Sequence, residues 1–411
     1  MNLVNVFEAR PGMMLAREVK SKEGRLLLTA GTLLGEKEIR ILRMWGILEI
    51  QVVPGADTMD SGNRGEFGDE IVDFMVQWFR HNNRDDPVVR CLFDLAGEWF
   101  ERRPELFQTL VSRLGAPRED EVPQGDVLQE IRKADPVGLL DDAVKLPALP
   151  RIYFEIDAAV KNPRCSGKEI ADIVSKDTSL SATLLRIVNS AYFGFREKID
   201  SLSFAALALG TDQICSLAMG ITMIKYFKGL PGRAPDMKAF WHHSLGCAVF
   251  ARNLATHISG VDGEHLFTGG LLHDIGRLVF LSYFPEATGA ALAIAGTENR
   301  DLVRVESEFF MVDHAQFGSL LADKWNFSHG ISAMIRDHHM AFQGVPEKEI
   351  AVVYFSNWMV SALGIGFSGD IALPALNKYA WAAMGMPAAA LVPVIRQTER
   401  QIEEAIRFFY G

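Results

Sequence analysis

From Leu139 to Gly411 the chain keeps a helical apolar period with almost no two-residue alternation, which restricts this stretch to helix packed on helix. Ser166-Gly-Lys-Glu169 has the spacing of a capping box and opens a helix carrying Ile170, Ile173 and Val174. A second helix follows Asp177, with Leu180, Leu184 and Val188 on one stripe. Asn189 and Ser190 close that helix as caps or structural hydrogen bonders, and Gly194 and Gly210 read as helix stops. No period of roughly 20–50 residues repeats, which argues against a solenoid.

The preceding 138 residues differ in texture. Residues 1–54 read as a small β-rich module. Its predicted strands are Met14–Val19, Arg25–Leu28 and Leu48–Val53, with a helix from about Glu36 to Trp45. A polar run over 57–65 looks like a linker. Residues 67–126 are expected to be a helical connector or dimerisation hairpin. Ile71, Met75, Trp78 and Phe79, then Leu92, Leu95 and Trp99, fall at helical spacing, and a flexible joint follows at 115–125. Residues 366–411 are expected to add C-terminal helices, either within the main core or appended to it.

Apolar residues make up 48% of the 411 and charged residues 23%, enough apolar surface for a large core. The first residues lack the basic and apolar regions of a secretory signal. No run of about 18 apolar residues is present, so no membrane span is expected. Cys91, Cys165, Cys215 and Cys247 are scattered and read as free thiols in a reducing compartment, which with the missing leader predicts a cytoplasmic protein. A net charge of −10 with no basic cluster argues against direct nucleic-acid binding.

Nine of the ten histidines lie between His242 and His339. Phe240, His243, Cys247, Phe250 and Leu254 form one helical stripe, so His243 faces the core and His242 points elsewhere. Phe267, Leu271, Asp274 and Leu278 share a face, with His273 adjacent, just before a Gly276 that is expected to break the helix. His314 aligns with Gly318, Leu321 and Trp325, and Ile331, Ile335 and His338 line up behind a Ser328 cap with His339 next to them. Burying an aspartate among imidazoles is costly unless they pair or hold an ion. Neutral imidazole and carboxylate are ordinary ligands of Zn, Fe and Mn, so a metal centre stands beside the plainer reading of hydrogen-bonded core histidines.

These residues resemble a known group. GGLLHDIGRL (269–278), preceded by FWHHSL (240–245), resembles the HD superfamily of metal-dependent phosphohydrolases. LPALP (146–150), DTSLSATLLRIVNSAYFG (177–194), DHAQFGSLLADKWNF (313–327) and IRDHH (335–339) narrow the resemblance to HDOD domains, the HD-related output domains of bacterial signalling proteins. It covers roughly residues 139–365, with the HD-like motifs at 240–357, and implies a mainly α, HD-like bundle. The segment PGMMLAREV…GRLLLTAGTLL is similar to the small module that often precedes HDOD or HD-GYP domains. Carried over, the HD pattern makes His243, His273 and Asp274 ligands of a first divalent metal (Fe, Mn or Zn). His314, His338 and His339 would serve a second, with Asp274 bridging. Three departures argue against turnover. Asn357 stands where a further Asp ligand is expected, Arg277 replaces a Lys, and HHMAFQGVP (338–346) lacks the Gly-Tyr-Pro motif of cyclic-di-GMP phosphodiesterases.

The resemblance therefore implies a regulatory signalling protein, with an HDOD domain acting by protein–protein contact and a homodimer among its allowed states. The alternative is a metal-dependent phosphohydrolase acting on a nucleotide or cyclic dinucleotide. A third expectation, haem or redox-sensing iron at the inward histidines, calls for an optical spectrum.

Overall fold

The computed structural model describes residues 2–52 with interruptions, 68–114, 134–141, 149–228 with interruptions, and 237–410 apart from 368 and 370–372. The expected linker at 57–65, the joint at 115–125, and Ser190 and Gly194 lie outside the described residues.

Strand β1 (Asn2–Asn5) pairs antiparallel with β4 (Glu49–Val52), Asn2 opposite Val52. Strands β2 (Val19–Lys20) and β3 (Leu26–Leu28) form a second antiparallel pair with an irregular register. Val6, Leu15, Leu34, Leu42 and Ile50 close a small core of their own. The expected strand over Met14–Val19 is corrected: Ala16 and Arg17 bend, and Leu15 makes an isolated bridge to Val52. Strand β1 was not foreseen, because a four-residue run of Asn, Leu, Val and Asn gives too little alternation to read.

The rest of the described chain is helical. Helices α1 (Asp69–Trp78), α2 (Pro87–Glu101) and α3 (Pro104–Leu114) precede a short α4 (Pro136–Asp141) and α5 (Arg151–Val160). The Ser166–Glu169 box opens α6 (Gly167–Ser175), with both reciprocal bonds formed. Asp177 caps α7 (Thr178–Val188) through Leu180 N at 2.8 Å. Asn189 closes α7 and bonds both backbone groups of Ile199, a structural role. Helix α8 (Leu202–Leu209) stops at Gly210, whose φ of 91° suits glycine, and α9 (Thr211–Lys228) follows.

The site-bearing half comprises α10 (Met237–Ala255), α11 (Gly263–Leu272), α12 (Ile275–Tyr283), α13 (Pro285–Thr297), α14 (Leu302–Phe310), α15 (His314–Lys324), α16 (His329–Asp337) and α17 (Lys348–Ala362). Helices α10, α11 and α17 are buried nearly all round, so they are interior helices with no polar face. Each Phe or Leu they remove from water contributes about 1.5–3 kcal/mol. Helices α18 (Lys378–Met384) and α19 (Leu391–Tyr410) follow. Helix α19 lies against α10, where Asn253 donates to Thr398 at 2.8 Å and Gln401 at 2.7 Å. Phe79 meets Trp358 edge-on, and Asn82 bonds Pro374 O and Leu376 N, so α1–α3 share the main core. Among the described residues, no single helix is long and apolar enough to cross a membrane.

Candidate metal centre

The chain breaks between α11 and α12 at His273 and Asp274, and this break builds the site. A continuous face through Phe267, Leu271, Asp274 and Leu278 was expected, with the interruption at Gly276. Instead Asp274 is the non-helical residue before α12 (φ −97°, ψ 16°), and Gly276 lies inside that helix. Gly276 is required there for another reason. A Cβ on it would stand 2.0 Å from His314 O and 2.7 Å from Gly318 N, so glycine lets the start of α12 touch the backbone of α15. That contact brings His314 to Asp274. Gly366, at φ 67°, does the same for α10, since a Cβ would lie 2.2 Å from His243 N.

Asp274 is 1% exposed and lies at the centre. Its Oδ2 is 3.2 Å from His273 Nε2 and 3.9 Å from His243 Nε2. Its Oδ1 is 3.1 Å from His314 Nε2 and 3.3 Å from His338 Nε2. The ligand atoms of Asp274, His314, His338 and His339 lie within 4.8 Å of one another, and so do those of His243, Cys247 and His273. Asn357 Oδ1 is 2.9 Å from His243 Nε2, which puts it on the His243 side. All six sequence-predicted ligand residues and Asn357 therefore converge. His339 is half-buried; the other five ligand residues are buried.

The hydrogen bonds set the tautomers. His273 Nδ1–H donates to Gly270 O at 2.8 Å, and His338 Nδ1–H donates to Ile335 O at 2.6 Å. Each then turns an Nε2 lone pair towards Asp274, lone pair against carboxylate oxygen. His273 Nε2, both Asp274 oxygens and His339 Nε2 are buried without a hydrogen-bond partner. Such an arrangement is unfavourable unless a cation sits between the groups. Two ligand atoms on one tetrahedral ion at 2.0–2.1 Å lie roughly 3.3 Å apart, which matches the His273 and His338 separations from Asp274. The donor set fits a divalent ion.

Two groups beyond the expected ligands shape the site. Glu306, on the buried face of α14, accepts from His314 Nδ1 at 2.5 Å and from His314 N at 3.1 Å. This carboxylate–imidazole pair orients His314 with Nε2 on Asp274. Arg277 is 1% exposed, with Nε 3.4 Å from Glu306, Nη1 3.8 Å from Asp274 and Nη2 3.0 Å from His314 Nδ1. Burial alone would raise the Asp274 and Glu306 carboxyls. The neighbouring His273, Arg277 and His314 outweigh it for Asp274, and His314 and Arg277 do so for Glu306, holding both below their ordinary range. Burial and Arg277 push His314 down, but the neighbouring Glu306 and Asp274 carboxylates overcome them and raise it to about 9. Burial lowers His243 to about 3, His338 to about 4, and His339 well below its usual value.

These shifts fix a pH optimum for the metal-free protein. His314, raised in the folded state, adds stability that is fully present below its unfolded value of 6.5 and is lost as pH rises through about 9. His243, His338 and His339, lowered on folding, cost stability as pH falls below 6.5, because the unfolded chain then binds more protons. Thermal melts of metal-stripped protein are expected to peak near pH 6.5, whereas a flat profile from pH 5 to 9 would contradict the assigned charges.

Residues 146–341 match the HDOD domain family. Over that segment, just under half of the chain, it is similar to an HDOD domain. An uncharacterised protein of Treponema pallidum (strain Nichols) is 27% identical over 260 residues, covering 62% of this chain and 48% of the relative. The chain thus spans about half the length of the curated relative it matches. An HDOD domain protein of unknown function from Geobacter sulfurreducens superimposes with a TM-score of 0.58 at 22% identity, covering 67% of this chain and 97% of that one. A candidate signal transduction protein from Marinobacter aquaeolei VT8 gives 0.54 at 18%, covering 75% and 66%. At these identities the likeness shows a shared fold. The HDOD match includes the five candidate ligand histidines and Asp274 but ends before Asn357.

Proposed function

We propose that this chain is a regulatory signalling protein whose HDOD domain binds a divalent metal without turning over a substrate and acts by contact with a protein partner. His243, His273 and Asp274 hold the metal on one side, and His314, His338 and His339 serve the other, with Asp274 between them. The observation that carries the reading is Arg277. Its permanent charge lies beside Asp274 and His314, where it neutralises the bridging carboxylate and opposes a second cation. Two-metal hydrolysis needs both ions and a bound hydroxide between them, and Arg277 works against that arrangement. The neutral Asn357 removes a further negative charge.

One observation favours the phosphohydrolase alternative, acting on a nucleotide or cyclic dinucleotide. A cavity of about 900 Å³ is lined in part by His338, His339, Asn357, Arg304 and Lys378, so the cluster has an opening large enough for such a ligand. Elemental analysis of protein purified without an affinity tag, followed by nucleotide and cyclic dinucleotide assays with Mn, Fe and Zn, separates the two. Bound metal without hydrolysis supports the regulatory reading, and metal-dependent release of product overturns it.

If the amide at 357 is what weakens the His243 side, Asn357→Asp is expected to raise divalent-metal affinity about tenfold or more by restoring a charged ligand. Competition with a chromophoric chelator measures this, and unchanged affinity would mean that residue 357 is not part of the coordination shell.

A further inference from the structure

We infer that Cys247 is a metal ligand, completing a four-donor site with His243, His273 and Asp274. The inference rests on the metal-binding reading above and adds to it a thiolate that the HD-type ligand pattern does not supply. Cys247 is one helical turn after His243 on α10, fully buried, with Sγ 3.6 Å from His243 Nε2. An ion holding nitrogen at about 2.05 Å and sulfur at about 2.3 Å in tetrahedral geometry sets those two atoms roughly 3.6 Å apart. The ligand atoms of His243, Cys247 and His273 also lie within 4.8 Å of one another. Asp274 Oδ2 lies 3.2 Å from His273 Nε2 and 3.9 Å from His243 Nε2, and both it and His273 Nε2 are buried without hydrogen-bond partners.

Charge points the same way. Where the ligand pattern calls for a further carboxylate, this chain has Asn357, an uncharged amide against His243. A Cys247 thiolate, beside the same His243 Nε2, restores that missing negative charge. As the sulfur–metal bond forms, the S–H bond breaks and its proton leaves to solvent, with no change in oxidation state. The resulting set of two imidazoles, one thiolate and one carboxylate suits Zn more than Mn, because thiolate is a soft donor.

Cobalt(II) titration of the full-length, metal-stripped chain tests this. Wild-type protein is expected to develop a thiolate-to-cobalt charge-transfer band in the near ultraviolet. Cys247→Ser is expected to lose the band and bind cobalt at least about tenfold more weakly, whereas Cys215→Ser, at another buried cysteine, keeps both. A wild-type spectrum without the band overturns the role of Cys247 even if a variant folds poorly. Cobalt bound without the band, or a band that survives in Cys247→Ser, overturns the role of Cys247 and leaves the metal reading standing. No cobalt bound at all overturns both.

Discussion

Asp274→Asn is expected to reduce bound metal at least about tenfold, to near background, on both sides of the site. Each Asp274 oxygen serves a different pair of imidazoles, Oδ2 facing His273 and His243, and Oδ1 facing His314 and His338. An amide replaces one of those oxygens with an NH2 group that cannot accept, and it removes the negative charge from both. The apoprotein is affected too. Arg277 and the protonated His314 lose one of their two carboxylates and keep Glu306. Breaking a buried charge network by removing one partner costs about 3–5 kcal/mol. His273→Ala separates the two effects, since its Nε2 has no hydrogen-bond partner and its loss removes a ligand while Arg277, His314 and Glu306 keep their contacts. Elemental analysis and denaturant titration of the two variants should therefore diverge: both lose metal, and Asp274→Asn loses far more apoprotein stability. Retained stoichiometric metal in either variant would refute the ligand assignment.

The legibility of this site in the sequence follows from the range of the interactions involved. His243, His314 and His338 could be read as inward-facing because each lies on a local helical stripe with apolar neighbours three or four residues away. The same test applied to LVRVESEFF (302–310) flags Glu306, which shares a buried face with Leu302, Val305, Phe309 and Phe310. A polar residue within an apolar stripe was the signal, and it was present. What could not be read was its partner. Glu306 reaches His314 because Met311 takes a left-handed conformation (φ 62°) between α14 and α15, and nothing local in a methionine announces that. Cys247 stood on the His243 stripe but passes for a small apolar residue by composition alone. The break at His273–Asp274 was hidden because α11 and α12 are both buried nearly all round, so periodicity does not mark where one ends. In the first 52 residues, strand pairing joins Asn2 to Val52 across the whole module, a contact that no window of alternation contains.

Gly276→Ala is expected to destabilise the protein by about 3 kcal/mol and to weaken metal binding with it. Most Gly-to-Ala changes inside a helix stabilise by about 0.5–1 kcal/mol, because alanine loses less backbone entropy on folding. At Gly276 sterics reverse the sign. The new methyl would meet His314 O at 2.0 Å and Gly318 N at 2.7 Å, and both are backbone atoms that cannot rotate away. Relief requires α12 and α15 to separate, which carries His314 away from Asp274 and Arg277. Gly289 provides the matched control. It lies within α13, is exposed, and has nothing within 4 Å of where its Cβ would be. Gly289→Ala should therefore be neutral or stabilising, with metal content unchanged. Urea midpoints that move in opposite directions for these two variants, with metal lost in Gly276→Ala alone, would show that close approach of α12 to α15 builds the site. Equal midpoints would mean that the two helices can separate without cost, and that His314 does not depend on the contact for its position.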